Sequence, residues 1–130
     1  MSATQPTAEQ LEALKGLPSD RPVVMVNLLS FRADGGEQRY EQYGREVGPH
    51  LERVGARVLY TGSTPVQVIG DGDAPWWDAV LIVEYPTPGA FLEMVTSADY
   101  LKVHEHREAA LERGDLIATA AWPPAAIAAA

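Results

Sequence analysis

Tyr100, His104 and Arg107 are the residues of this chain whose types and spacing best suit chemistry. At about 100° per residue they share one helical stripe with Val103 and Leu111, while Leu101, Lys102, Glu105, His106 and Glu112 fall on the other, largely polar side. A core-facing stripe rarely carries both a histidine and an arginine, because burying such groups is costly unless they are paired. The pattern therefore points to a pocket or to a buried polar network. With an ordinary pKa near about 6.5, His104 suits a general base, a proton shuttle or an axial ligand. The plainer alternative is a core-edge histidine hydrogen-bonded to Tyr100 or to a backbone carbonyl. Arg107, one turn on, can clamp a carboxylate or enolate bidentately, and equally can pair with Glu84 or another acid as structural glue. Asn27 is the strongly polar side chain in an otherwise apolar segment, and a buried amide must satisfy both its donors and its acceptor.

Other polar and aromatic residues carry weaker signals. Tyr60, Tyr85, Trp76 and Trp77 more often fill cores than bind ligands, and because consecutive strand residues alternate faces only one of the two adjacent tryptophans can face a given cavity. His50 reads as a helix-margin residue and His106 as solvated. Asp71-Gly72-Asp73 has the look of a cation loop but lacks the further ligands and closing Glu that calcium requires. No Ser-His-Asp, zinc or phosphate-loop arrangement is present, and no metal or cofactor is implied.

The elements that must position these residues follow from pattern. Thr7-Ala8-Glu9-Gln10 reads as a capping box opening a short helix that Gly16 and Pro18 stop. Val23–Phe31 is a strand apolar on both faces, and residues 32–36 form a loop. A helix runs from about Glu37 to Val54 with Tyr40, Tyr43, Val47, Leu51 and Val54 as its buried stripe, and Gly48-Pro49 predicts a kink or break within it. Residues 57–61 and 66–69 read as one strand interrupted at 62–65, followed by a turn at 70–75 and a returning strand over Trp76–Glu84. Thr87-Pro88 caps a further helix. Ser97 recaps the chain into the His104 helix, which Gly114 ends, and Leu116–Trp122 forms the last strand.

The chain has 130 residues, which fits one domain able to bury a core without staples, and it contains no cysteine. Its 18 acidic against 10 basic residues give a net charge of −8. That balance argues against nucleic acid and anionic membrane surfaces as partners. No signal peptide and no bilayer-length apolar run is visible, so the expected location is cytoplasmic.

The order helix, then β-α-β-β-α-β, predicts an α+β, ferredoxin-like fold with an antiparallel sheet. Residues 1–21 would be an N-terminal helix and linker, 22–122 the domain and 123–130 an Ala/Pro-rich tail. Helices can cover only one face of such a sheet, yet its strands are apolar at odd and even positions alike. A second copy packed face to face is the simplest cover, giving a homodimer.

The chain resembles the bacterial domain-of-unknown-function family numbered 1330, in the dimeric α+β barrel superfamily. The likeness rests on Met25-Val26-Asn27-Leu28-Leu29-Ser30-Phe31, Tyr40-x-x-Tyr43, Trp77-Asp78, Glu84-Tyr85-Pro86, and Ser97-x-x-Tyr100 through Arg107-x-Ala109-Ala110-Leu111, and covers roughly residues 22–121. The resemblance implies the dimeric barrel but no established reaction. The wider superfamily includes cofactor-independent monooxygenases and haem-degrading enzymes. In the latter an Asn on the first strand, a Trp before the second long helix and a His on that helix form the site. Asn27 and His104 match two of these, but the Trp position falls near Tyr85.

Together these readings predict a small-molecule pocket between sheet and helices, for an apolar or aromatic ligand. His104 and Asn27 are its candidate catalytic residues, and Arg107, Tyr100, Tyr85 and Trp77 its candidate ligand contacts. Proton transfer or cofactor-independent oxygenation would be the chemistry. A non-catalytic dimeric module and a haem-binding protein are the alternatives.

Overall fold

The computed structural model describes residues 5–122. They form α1 (Ala8–Lys15), β1 (Val23–Phe31), α2 (Gly36–Arg53), β2 (Arg57–Ser63), β3 (Ala79–Tyr85), α3 (Pro88–Val95), α4 (Ala98–Ala110) and β4 (Leu111–Thr119). The strands make one open antiparallel sheet in the order β2-β3-β1-β4. This is the expected α+β, ferredoxin-like architecture preceded by a helix.

Local chemistry sets the helix starts. The Thr7 hydroxyl accepts from the Gln10 amide while the Gln10 side chain accepts from the Thr7 amide, closing the predicted capping box. Thr87 caps α3 with Pro88 at its first turn. Ser97 accepts from the Tyr100 amide and donates to the Met94 carbonyl, at 3.1 and 2.9 Å. That double tie fixes the phase of α4 and so turns Tyr100 and Val103 into the core.

Side chains alternate across β1. Val23, Met25, Asn27 and Leu29 are buried under the helices, while Val24, Val26, Leu28 and Ser30 stay half-exposed on the other face. Val83 and Tyr85 of β3 join the covered face, and Leu14 of α1, Tyr43 and Val47 of α2, Phe91 and Met94 of α3, and Tyr100 and Val103 of α4 complete the main core. On the open face, register aligns Tyr60, Ile82, Val26 and Ile117 in one apolar row across all four strands.

The structure corrects several boundaries. β2 stops at Ser63 rather than resuming at Val66, because Thr64 takes a left-handed φ of 57° and Pro65 has no N–H to donate. Val66, Val68 and Ile69 are consequently 79%, 88% and 93% exposed. β3 begins at Ala79, so Trp76 and Trp77 precede the strand and parity within it does not apply to them. α2 runs unbroken through Pro49, forgoing only the bond that residue's N–H would have made to Arg45. α4 ends at Ala110, not Gly114: Leu111 is already extended, and Phe31 pairs with Leu111 while Ser30 pairs with Arg113, leaving Glu112 as the extra residue of a bulge. The final strand therefore spans Leu111–Thr119 instead of Leu116–Trp122. The proposed tail, 123–130, lies outside the described residues.

Candidate functional site

Polar chemistry gathers where α2, α4 and β1 meet. The Tyr43 and Tyr100 hydroxyls share a 2.9 Å hydrogen bond, and Tyr100 Oη lies 3.1 Å from His104 Nδ1. The other ring nitrogen, Nε2, faces Glu108 Oε1 at 3.6 Å. A carboxylate at Nε2 favours the proton on that nitrogen, leaving Nδ1 to accept from Tyr100. Tyr100 then accepts from Tyr43, and the chain acquires a direction: Tyr43 to Tyr100 to His104 to Glu108. It also runs outward, since both tyrosines are buried while 13% of the His104 side chain and 34% of Glu108's are exposed. Gln5 Nε2 donates to the same Glu108 oxygen at 3.3 Å, laying the segment before α1 against the outer end.

Burial raises the Tyr43 pKa well above the ordinary 10.0, and the neighbouring hydroxyls of Tyr100 and Tyr40 add to the rise. Burial likewise raises Tyr100, opposed by the bond from Tyr43 and by the Arg107 charge. These phenols therefore stay protonated at neutral pH, and the chain can pass protons only by concerted hand-over.

Beside this chain stands a second polar group. Asn27 is 7% exposed; its Nδ2 donates to the Leu81 carbonyl at 3.1 Å, and its Oδ1 accepts a long, 3.4 Å bond from Arg107 Nη2. Both ends of the buried amide are thus used. The guanidinium passes so close to β4 that a Cβ on Gly114 would stand 3.3 Å from Arg107 Nη2 and 2.7 Å from Leu111 Cδ1. The bulge that ends α4 early is what brings Gly114 here. Tyr40 completes the group, its ring against Phe31 and Tyr43. Its hydroxyl is buried without a hydrogen-bond partner. Burial raises the Tyr40 pKa, and Arg107 pulls the other way, by its charge and as a nearby hydrogen-bond donor that falls short of full bonding geometry.

The structure thus brings together Asn27, Tyr100, His104 and Arg107. Tyr85 lies on the same sheet face but opposite Val23, four residues along β1 from Asn27, where its ring meets Phe91 edge-on. Burial raises its pKa too. Trp77 stands before β3, near the far end of β1, and is half-buried. The Arg107–Glu84 alternative is not realised: Glu84 pairs with Arg57 at 2.9 Å. His50 bonds Arg53 and presents an edge contact to Tyr100. Trp76 stacks under the Arg113 guanidinium, 3.7 Å from its ring centre. Nor is His106 merely solvated. Arg39 Nε donates to its Nδ1 at 2.8 Å and Glu46 faces its Nε2 at 3.3 Å, tying α4 to α2 on the outside.

Tyr40, Tyr43 and Glu108 join the cluster without standing out as site residues in the sequence. Glu108 sits four residues beyond His104, a spacing that signals a side-chain pair. The tyrosines carry no such signal, since on the α2 stripe they read as apolar packing. A cleft of about 430 Å³ opens elsewhere, at the end of the sheet where β1 starts and β3 and β4 finish, lined by Leu17, Arg21, Val23, Glu84, Pro88 and Thr119 among others. None of its lining residues belongs to the cluster. Among the described residues no group of acidic or imidazole side chains is arranged to hold a metal ion, and no helix is long and apolar enough to cross a membrane.

The model of the domain of unknown function DUF1330 matches residues 35–121, everything from α2 through β4. The chain belongs to the DUF1330 family. This DUF1330 protein is also similar to RPA0582, a protein of unknown function from Rhodopseudomonas palustris, at 31% identity and a TM-score of 0.82 over 95% of this chain and 100% of that one. The methylated form of RPA0582 gives 34% identity, a TM-score of 0.82, and 95% and 97% coverage. At the level of fold alone it is similar to SnoaB, a cofactor-independent oxygenase from Streptomyces nogalater (14% identity, TM-score 0.57, 79% and 95% coverage). The same holds for a dimeric protein of unknown function with a ferredoxin-like fold from Bacteroides fragilis (10%, 0.53, 78% and 98%). No curated protein matches the chain. Asn27, on β1, lies outside the family match, whereas Tyr40, Tyr43, Tyr100, His104 and Arg107 lie within it.

The superfamily resemblance also raises haem. Both His104 ring nitrogens have protein partners, so the residues present do not offer an open axial ligand. No haem step follows from them.

Proposed function

We propose that this DUF1330 protein binds a small apolar or aromatic molecule between its sheet and helices α2 and α4, and takes a proton from it. The directed chain Tyr43–Tyr100–His104–Glu108 carries this reading. A C–H or O–H proton of the ligand passes to the Tyr43 oxygen as Tyr43 gives its own to Tyr100, Tyr100 gives its own to His104 Nδ1, and His104 gives its Nε2 proton to Glu108. One proton enters, one arrives at the surface carboxylate, and no phenolate accumulates. His104 is the base in this scheme, reached through two phenols rather than by direct contact. Arg107, held by the Asn27 amide oxygen, would stabilise the negative charge left behind. The fold shared with SnoaB favours cofactor-independent oxygenation of such a carbanion by dioxygen as a second step, a warrant of fold and not of site.

The assembly half of the reading is a homodimer. The row Tyr60–Ile82–Val26–Ile117 leaves Tyr60 58% and Ile117 46% exposed on a face no helix covers. A second copy buries it, as the dimeric, ferredoxin-like relative of Bacteroides fragilis suggests.

Two measurements test this. Native mass spectrometry of the purified protein reports dimer and retained ligand together. Deuterium wash-in at the α-carbon of 2-tetralone, a neutral enolisable aromatic ketone, followed by NMR, reports proton abstraction. Wild type should accelerate wash-in, and His104→Gln and Tyr100→Phe should remove the acceleration while remaining folded. Wash-in at the buffer rate with wild type, and no retained ligand, would leave the cluster as a purely structural network.

A further inference from the structure

We propose that Arg107 and Tyr40, with Asn27 positioning the guanidinium, form an oxyanion-binding subsite, and that the ligand of this protein is an organic acid whose carboxylate it holds. This deepens the reading above and rests on it for the existence of a ligand site.

Three independent observations converge on the same few ångströms. Arg107 is a half-buried cation that pairs with no carboxylate among the described residues: the ion pairs formed are those of Lys15, Arg57, His104, His106 and Arg113. Its hydrogen bond to the neutral Asn27 amide oxygen is long at 3.4 Å and engages a single Nη, although a guanidinium has five donors. Next, the Tyr40 hydroxyl is buried with no partner in full hydrogen-bond geometry among the described residues, and the Arg107 guanidinium acts on its oxygen by charge and as a nearby donor, which leaves the phenol O–H to give. A buried hydroxyl left unsatisfied is destabilising, so its O–H calls for an acceptor. Finally, Gly114 lets the guanidinium lie close against β4, where a Cβ would stand 3.3 Å from Nη2, and so fixes where the charge is held.

The sign of the missing partner follows from the donors. Arg107 is only a donor; Tyr40, held protonated by burial beside a cation, has its O–H to give. Two donors with a positive charge between them call for an acceptor that is negative, and a planar carboxylate fits a guanidinium edge bidentately while reaching a phenol. The residues packed around Tyr40 are Phe31, Tyr43 and Leu29, so the remainder of the acid would be apolar or aromatic.

Isothermal titration calorimetry of the full chain with benzoate and phenylacetate, and with benzamide as the neutral isostere, tests this. The carboxylates should bind and benzamide should bind at least tenfold more weakly. Arg107→Gln should abolish carboxylate binding, and Tyr40→Phe, which keeps the ring packing, should weaken it by about tenfold, the worth of one charge-assisted hydrogen bond. Far-ultraviolet circular dichroism confirms that each variant folds. Should Arg107→Gln not fold, the benzoate-to-benzamide ratio in wild type and Tyr40→Phe still decides the matter. Equal binding of benzoate and benzamide, unchanged in Tyr40→Phe, overturns the oxyanion subsite but leaves a small-molecule site standing. Absence of binding by either class overturns both.

Discussion

The two faces of the sheet break opposite rules. Under the helices, where apolar packing is expected, lie an amide, a guanidinium, an imidazole and three phenols within one cluster. On the open side, where polar residues are expected, Tyr60, Ile82, Val26 and Ile117 form an apolar row. A buried polar group is retained when something must be bound or moved there, and an uncovered apolar row when something must cover it. Under the proposed function each departure answers to a different kind of partner: a small molecule inside, a second chain outside. Placing a charge on the open face separates the two most sharply. Ile82→Asp should put one unpaired carboxylate per copy into the interface, a burden of about 3–5 kcal/mol each. Sedimentation should then show monomer at concentrations where wild type is dimeric, with the Tyr43–Tyr100 bond on the opposite face undisturbed. A dimer of unchanged stability would show that this row is not the interface.

The covered face answers to alkali. Tyr40, Tyr43, Tyr85 and Tyr100 all have pKa values raised above 10.0, with burial the leading cause in each. Their folded values exceed their unfolded ones. The stability they contribute is accordingly complete below pH 10 and is lost as pH rises through the folded values. Raising a phenol's pKa tenfold in proton affinity corresponds to about 1.4 kcal/mol, so four such groups make unfolding steep. Phenolate absorbance of these residues should appear together with the loss of circular dichroism. Ionisation of all four ahead of unfolding would mean that the cluster is wetter than its burial indicates.

Within the cluster, smaller effects test its connectivity. Tyr43→Phe and Tyr100→Phe should each destabilise the fold by about 1–3 kcal/mol, because each leaves a buried partner with an unmet bond. The double variant should lose less than the sum, since their mutual bond can be removed only once. Chemical unfolding of the four proteins reads the coupling directly. Strict additivity would mean that the 2.9 Å contact carries no energy.

How much of this is legible in the sequence depends on whether the cause is local. Helix starts at Thr7, Thr87 and Ser97 are readable because a cap acts over three residues, and strand order follows from the β-α-β-β-α-β sequence of elements. The outward turn at Thr64-Pro65 reads as a mere interruption, since Val66–Ile69 has strand composition and only the absence of a neighbouring strand excludes it. The early end of α4 at Ala110 depends on pairing between Leu111 and Phe31, 80 residues apart in sequence, which no local propensity encodes. The site divides the same way. The stripe of Tyr100, His104 and Arg107 is a property of one helix. That Tyr40 and Tyr43 bring hydroxyls to it while their rings pack in the core is settled by how α2 lies against α4.

The smallest expected difference sets the two neighbouring histidines of α4 against each other. His104 and His106 are both flanked by a glutamate and a second polar partner, yet they bridge unlike environments. Removing the ring in His104→Ala strands the Tyr100 hydroxyl, which is buried, so the loss should be about 1–3 kcal/mol. His106→Ala releases Arg39 and Glu46 to solvent; Glu46 is 43% exposed, and water replaces the lost partner. Its effect should stay below about 1 kcal/mol and shrink further in high salt. Urea midpoints at low and high ionic strength distinguish the pair. If His106→Ala proves as damaging as His104→Ala, the outer Arg39–His106–Glu46 bridge is what holds α4 against α2.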